Sequence, residues 1–251
     1  MKNLMKQFDA YIFDLYGTLV DIHTDENREE VWEKLALFYG YYGAEYEAEE
    51  LHHTYLEIIA CMEKSKSGKN SDAHEACPEI QIEQVFRELF VEKGVDADLT
   101  LVIHAGQFFR AMSTDYIRLY EGTEEMLDAL RRKHKKIYLL SNAQRIFTEY
   151  EMKALKIYQY FEKIFISSDF GYKKPDSRFF EKLIQTCSIS KEKAIMIGND
   201  AVCDIQGAKA VDLATCYVHS NLSPKEALPD ADFVLEEMDM KKMKRILLET
   251  C

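Results

Sequence analysis

The sequence predicts an α/β fold, a doubly wound parallel sheet flanked by helices with an all-helical unit inserted into it, and three observations carry that prediction. Four short apolar runs, "YIFDLYG", "KIYLLSN", "KIFISSD" and "AIMIGND", are continuous rather than alternating and end in polar residues. Strands buried on both faces of a parallel sheet have this pattern. Between the last three runs apolar residues recur at helical spacing, so strand and helix alternate as in βαβ units. Residues 21–118 instead carry helical stripes and no strand signal.

Taken in order, the first strand covers Tyr11 to Gly17 and drives Asp14 to its end. Within the insert, Leu51, Tyr55, Ile58 and Met62 form one apolar face, Ile82, Val85, Phe86, Leu89 and Phe90 a second, and Leu101, Ala105, Phe108 and Met112 a third. The stretch Lys64 to Glu79 reads as a loop, with Pro78 placed to start the next helix. The aromatic stretch "LFYGYYGAEY" reads as core of the insert. In "EGTEEMLDALRRKHKK", Thr123 is the expected N-cap, with acidic residues in the first turn and Arg131, Arg132 and Lys133 near the last, as the helix dipole favours. The strand Lys136 to Asn142 follows, then a helix with Phe147, Tyr150, Ala154 and Leu155 on one face. The strand Lys163 to Asp169 precedes a helix carrying Phe180, Leu183, Ile184 and Cys187. The strand Ala194 to Asp200 comes next, and Ala214 to Ser220 and Ala231 to Leu235 extend the sheet. The expected division is a core of residues 1–20 and 119–251 around an insert of residues 21–118. Ligands of such sheets bind outside the carboxyl ends of the strands. Asp14, Ser141 with Asn142, Ser168 with Asp169, and Asn199 with Asp200 are therefore expected on one crevice.

Bulk properties narrow the function. The net charge of −12 argues against a nucleic-acid binder held by phosphate contacts. It also requires a local cation wherever an anionic substrate binds. No run approaches the roughly 18 apolar residues of a membrane span, and no signal-peptide pattern opens the chain, so a cytoplasmic location without membrane association is expected. Six cysteines without a C-x-x-C pair fit neither a zinc site nor a disulfide scaffold. His52, His53, His74 and Cys77 match no common ligand spacing.

"DLYGTLV", "LLSN", "KKPD" and "GNDAVCDIQGA" stand in the order and spacing of the four motifs of the haloacid dehalogenase (HAD) superfamily, which the chain resembles over nearly its whole length. The resemblance implies a Rossmann-like HAD core and makes the helical insert similar to that superfamily's C1 cap. It implies Asp14 as the nucleophile that forms an aspartyl-enzyme intermediate, a role that splits one difficult displacement into two easier ones. Gly17, Thr18, Ser141 and Asn142 are then the substrate- or phosphate-binding positions, through backbone N–H groups and neutral side chains. Lys174 supplies a cation beside the nucleophile. Asp14, the backbone carbonyl of Tyr16, Asn199, Asp200 and Asp204 are the implied metal ligands, an oxygen set suited to Mg²⁺.

Tyr16 departs from the phosphatase pattern, in which the residue two after the nucleophile is usually a second aspartate serving as acid and base. A phenol, with an ordinary pKa near 10, is a poor base at neutral pH. The D-x-Y-G-T form resembles the metal-independent 2-haloacid dehalogenases, whose halide leaves without protonation. Against that reading, Arg28 is the only arginine between Asp14 and Arg87, and the fourth motif keeps two carboxylates. The expected function is a Mg²⁺-dependent phosphatase of a small phosphorylated metabolite, with Asp14, Tyr16 and Lys174 as the candidate catalytic residues. A 2-haloacid dehalogenase and a non-catalytic ligand-binding domain are the alternatives. The expected partner is a small anionic molecule.

Overall fold

A computed structural model of the protein describes residues 8–66, 79–225 and 228–249. The expected loop between Lys64 and Glu79, with Pro78, His74 and Cys77, falls almost wholly outside the described residues, as does Cys251. Six parallel strands form the sheet in the spatial order β5-β4-β1-β6-β7-β8. They are β1 (Ala10–Phe13), β4 (Lys136–Ser141), β5 (Lys163–Ile166), β6 (Ala194–Gly198), β7 (Ala214–Val218) and β8 (Phe233–Leu235). Every expected strand is present. The chain leaves β1 for β4 on one side and β6 on the other, so the topological switch point of the sheet lies at the end of β1.

Period-two alternation along buried strands builds a core on each face. Tyr11 and Phe13 join Ile137, Leu139, Ile195 and Ile197 in one cluster, covered by α5 (Thr123–Arg132) and α9 (Met240–Glu249). Ile12, Leu140 and Met196 point the other way, against Phe179, Phe180 and Leu183 of α7 (Ser177–Cys187). Phe13 and Phe179 are fully buried, each contributing roughly 2–3 kcal/mol of transfer free energy. α5 begins one residue earlier than expected: Gly122, at φ +87°, occupies the N-cap, and Thr123 is buried with its hydroxyl donating to the Leu19 carbonyl.

The insert consists of α1 (Glu29–Tyr41), α2 (Ala48–Lys66), α3 (Ile82–Val91) and α4 (Leu99–Ser113), packed around their own core of Trp32, Leu35, Tyr39, Phe86, Phe90 and Phe109. Two strands lie where none was expected. β2 (Val20–Thr24) and β3 (Thr114–Leu119) pair antiparallel into a separate ribbon at the root of the insert. Each is short and rich in polar residues, and the partners are far apart in sequence, so neither carries a local strand signal. The α4 stripe is also rotated. The helix buries Val102, Ala105, Gly106 and Phe109 rather than Leu101, Phe108 and Met112. A Cβ at Gly106 would meet Ile146 at 2.6 Å and Phe86 at 2.9 Å, so this glycine admits the close approach that selects the buried face. On α6 (Arg145–Ala154), Ile146, Phe147, Thr148 and Met152 are buried while Tyr150 is exposed, because α6 packs on the insert as well as on the sheet.

Candidate active site

Asp14 follows directly on β1, and its backbone N–H donates to the Ile197 carbonyl, which fixes the carboxylate at the switch point. Oδ1 accepts from the Ser141 hydroxyl at 3.0 Å, at the end of β4, and from Lys174 Nζ at 2.8 Å. Oδ2 meets the Thr18 hydroxyl at 3.4 Å. The turn holding Thr18 depends on Gly17, at φ +81°, where a Cβ would lie 2.3 Å from Asn199 Nδ2. Thr18 also donates to Asn199 Oδ1 at 3.2 Å.

Lys174 is buried to 2% exposure with an ammonium shared between Asp14 and Asp204 Oδ1, the latter at 2.6 Å. Burial alone would lower its pKa, but the two carboxylates outweigh this and hold it above the ordinary lysine value. Asn142 positions the lysine backbone, accepting from Lys174 N at 2.8 Å and donating to Lys174 O at 2.9 Å. Burial and the Asp14 charge push the Asp204 carboxyl upward against the pull of Lys174.

Asp14, Tyr16, Ser141, Asn142, Lys174, Asn199, Asp200 and Asp204 border one cavity of about 170 Å³. Gly17 and Thr18 lie in the turn beneath it. Ser168 and Asp169 do not reach it: β5 is the edge strand, two strand spacings from β1, or roughly 10 Å. Ser168 accepts from the Arg145 backbone and Asp169 pairs with the Arg145 guanidinium. Cys203, Leu222 and Pro224 border the cavity without having been expected. Cys203 sits inside the fourth motif, and Leu222 and Pro224 follow the carboxyl end of β7, so the strand-end rule already pointed to their loop.

Asp204 accepts from Lys174 through Oδ1 and, at 3.0 Å, from the Asp200 N–H through Oδ2. One expectation needs correction. Tyr16 does not turn its phenol toward the nucleophile. Its hydroxyl donates to Glu151 Oε2 and meets the Thr148 hydroxyl at 3.0 Å, both on α6. Burial and the Glu151 charge push the phenol well above its ordinary value, so it is no acid or base near neutral pH. Arg28 is held by Asp115 and the Met112 carbonyl, and among the described residues no arginine borders the cavity.

The oxygens offered to a cation at the cavity include those of Asp14, Asn199, Asp200 and the Tyr16 backbone. Asp200 Oδ1 caps the following turn, accepting from Val202 and Cys203 N–H. Burial, with the charge of Asp200 beside it, pushes the Cys203 thiol up to about 12, so it offers no thiolate. Among the described residues no three His, Cys, Asp or Glu side chains form a ready cage. A sparse oxygen set with retained water suits Mg²⁺, which keeps much of its hydration shell, and the residues fit that ion.

The core also grips the insert beside the site. Gln144, two residues beyond Asn142, donates to Glu79 Oε1 at 2.7 Å and to the Ile80 carbonyl at 3.0 Å, and accepts from Ile82 N at 3.0 Å. It thereby satisfies a first-turn amide of α3 that its own helix cannot.

Comparison with known proteins agrees with this architecture. The chain is 25% identical over 169 residues to pyrimidine 5'-nucleotidase PynA of Streptococcus pneumoniae (strain ATCC BAA-255 / R6), covering 64% of this chain and 70% of that protein. For three such curated relatives, the match spans 70%, 65% and 59% of the relative's own length. Among solved structures, the fold matches the magnesium-bound HAD-hydrolase YfnB of Bacillus subtilis with a TM-score of 0.55, 19% identity and 96% and 99% of the two chains covered. It matches 2-haloacid dehalogenase from Pseudomonas syringae pv. Tomato DC3000 with a TM-score of 0.62, 17% identity and 98% and 100% covered. The family description "haloacid dehalogenase-like hydrolase" matches residues 8–212, and the protein belongs to that family.

Proposed function

We infer that the protein is a Mg²⁺-dependent hydrolase of a small phosphorylated metabolite, acting through an Asp14 aspartyl-phosphate. One observation carries the reading: among the described residues the cavity holds the carboxylates of Asp14, Asp200 and Asp204 against the single ammonium of Lys174, which is already committed to two of them. A phosphate dianion entering so acidic a site meets net repulsion unless a divalent cation accompanies it. Asp14, Asn199, Asp200 and the Tyr16 carbonyl would hold that ion, which when bound supplies counter-charge to the phosphoryl oxygens. The division into a core of 1–20 and 119–251 and a cap of 21–118 is part of this proposal, as is a cytoplasmic setting.

The chain's own residues do the rest. Ser141 and Lys174 hold the Asp14 carboxylate in place for attack on phosphorus. The P–O bond to the leaving group breaks as the aspartyl-phosphate forms, and water later cleaves the acyl phosphate to return Asp14. No carboxyl stands where the usual second aspartate would protonate the leaving alkoxide, and Tyr16 is committed elsewhere. The substrates favoured are therefore those whose leaving groups need no proton, such as acyl and aryl phosphates.

The test is release of phosphate from para-nitrophenyl phosphate and of chloride from 2-chloropropionate, each with Mg²⁺ and with EDTA. Phosphate release that requires Mg²⁺, lost in Asp14→Asn, is the expected result. Chloride release insensitive to EDTA would instead establish the dehalogenase reading, which the D-x-Y-G-T motif favours and the absence of an arginine at the cavity opposes.

A further inference from the structure

Tyr16 lies two residues after Asp14 and borders the cavity, yet its hydroxyl is directed to α6. Its hydroxyl reaches Glu151, whose other oxygen, Oε1, accepts from Arg110 Nε at 2.7 Å. Arg110 lies in the last turn of α4, the final helix of the cap, one residue from the cap-core ring of Phe109. Its guanidinium also lies 5.9 Å from the Tyr16 ring centroid and 5.3 Å from that of Phe147. The Arg110–Glu151 pair is largely removed from water, with side chains 17% and 13% exposed. Such a pair is far more directional than a surface ion pair, and removal of one member leaves the other charge poorly solvated. The backbone of Tyr16, two residues from Asp14, borders the catalytic cavity while its side chain is tied, through one carboxylate, to the cap.

We propose that Tyr16 is a positioning residue: together with Glu151 and Arg110 it forms a latch that fixes the pose of the cap and the main chain beside the nucleophile as one unit. The proposal deepens the phosphatase reading and rests on it for its kinetic consequence. It also accounts for an aromatic at this place. Tyrosine is long enough, with a terminal donor, to reach from the strand end to Glu151 on α6. The cap is attached on the same side a second time by Gln144, so both attachments lie on the segment that begins at Ser141 and Asn142. Cap position and one hydrogen-bond partner of the nucleophile, Ser141, are thus set by one stretch of chain.

The experiment compares the full-length wild type with Tyr16→Phe and Arg110→Gln in two measurements. Hydrogen–deuterium exchange without substrate reads the latch alone, and kcat and KM for para-nitrophenyl phosphate with Mg²⁺ across pH read its consequence. The expected result is faster exchange confined to β2, β3 and the last turn of α4. A fall in kcat/KM of about tenfold accompanies it, with the shape of the pH profile unchanged. Tyr16→Phe combined with Glu151→Gln is expected to cost no more than either alone, as for residues acting as a unit. Unchanged exchange overturns the proposal whatever the kinetics. Faster exchange with wild-type kinetics in an active enzyme also overturns it, because the tie is then purely structural. A pH limb lost in Tyr16→Phe overturns it in favour of acid–base chemistry. If the wild type hydrolyses no phosphate ester, the phosphatase reading falls and the exchange measurement alone decides the latch. Should Tyr16→Phe not fold, Glu151→Gln carries the same two measurements.

Discussion

Replacing Lys174 with methionine removes one ammonium and leaves two buried carboxylates facing each other. Asp204 is 1% exposed and the Asp14 side chain 10%, and each lies within 2.8 Å of the lysine nitrogen. At an effective dielectric near 20, each contact has a gross attraction of about 6 kcal/mol. Most of this offsets the cost of burying the charges, and breaking such a pair leaves a net loss of about 3–5 kcal/mol. For a chain of this size each kcal/mol shifts the Tm by roughly 2–4 °C, so Lys174→Met is expected to melt about 6–20 °C below wild type. The assay is thermal unfolding followed by circular dichroism at pH 7 in EDTA, which keeps divalent cations from replacing the lost charge. Adding Asp204→Asn removes one of the orphaned charges, and the double variant should regain a substantial part of the lost Tm without regaining turnover. A single variant within about 2 °C of wild type would refute the reasoning. So would a double variant no more stable than the single.

Asp21 anchors the ribbon: it accepts from Arg118 at 2.7 Å, Asn221 at 2.9 Å and Tyr116 at 3.3 Å, and these donors outweigh burial to hold its carboxyl below the ordinary range. A depressed folded-state pKa stabilises above the unfolded value near 3.9 and loses that contribution as pH falls through the folded value. Asp21→Asn should therefore lower the Tm at pH 7 by a margin that shrinks as pH falls below about 3.9, whereas a pH-independent gap would contradict the assignment. Gln144→Ala should cost about 1–3 kcal/mol and speed amide exchange at the start of α3, and unchanged exchange there would rule out the clamp. Iodoacetamide at pH 8 should label exposed Cys61 in the native protein but spare Cys203 and Cys216, whose thiols burial pushes up to about 12. Peptide mapping that finds either buried cysteine labelled would show that its site opens.

Much of the core was legible because its signals are local. A continuous apolar run ended by Asp14, Ser141 or Asn199 states both the strand and the edge at which it stops. The α3 stripe from Ile82 to Phe90 was legible for the same reason, since every apolar residue on it is buried. The α4 stripe was not, because that helix is apolar on more than one face and the choice between Leu101 and Val102 waits on what packs against Gly106. The ribbon of β2 and β3 could not be read locally, since its pairing energy comes from a partner strand beyond four intervening helices.

The candidate site divides along the same line. The sequence by itself determined which groups stand at strand ends, and so brought Asp14, Ser141, Asn142, Asn199 and Asp200 to one place, while Lys174 was expected there from the motif resemblance. Side-chain direction was decided only by tertiary structure. Asp204 and Asp200 are both acids of one motif that border the cavity, yet one faces Lys174 while the other caps the following turn. Tyr16 lies two residues from the nucleophile, yet its hydroxyl is held by Glu151 and Thr148 of α6. Strand period and chain order fix where a Cα goes. The direction of a polar side chain is set by whichever buried partner best satisfies it, and those of Tyr16 lie 132 and 135 residues away along the chain while Lys174 lies 30 from Asp204.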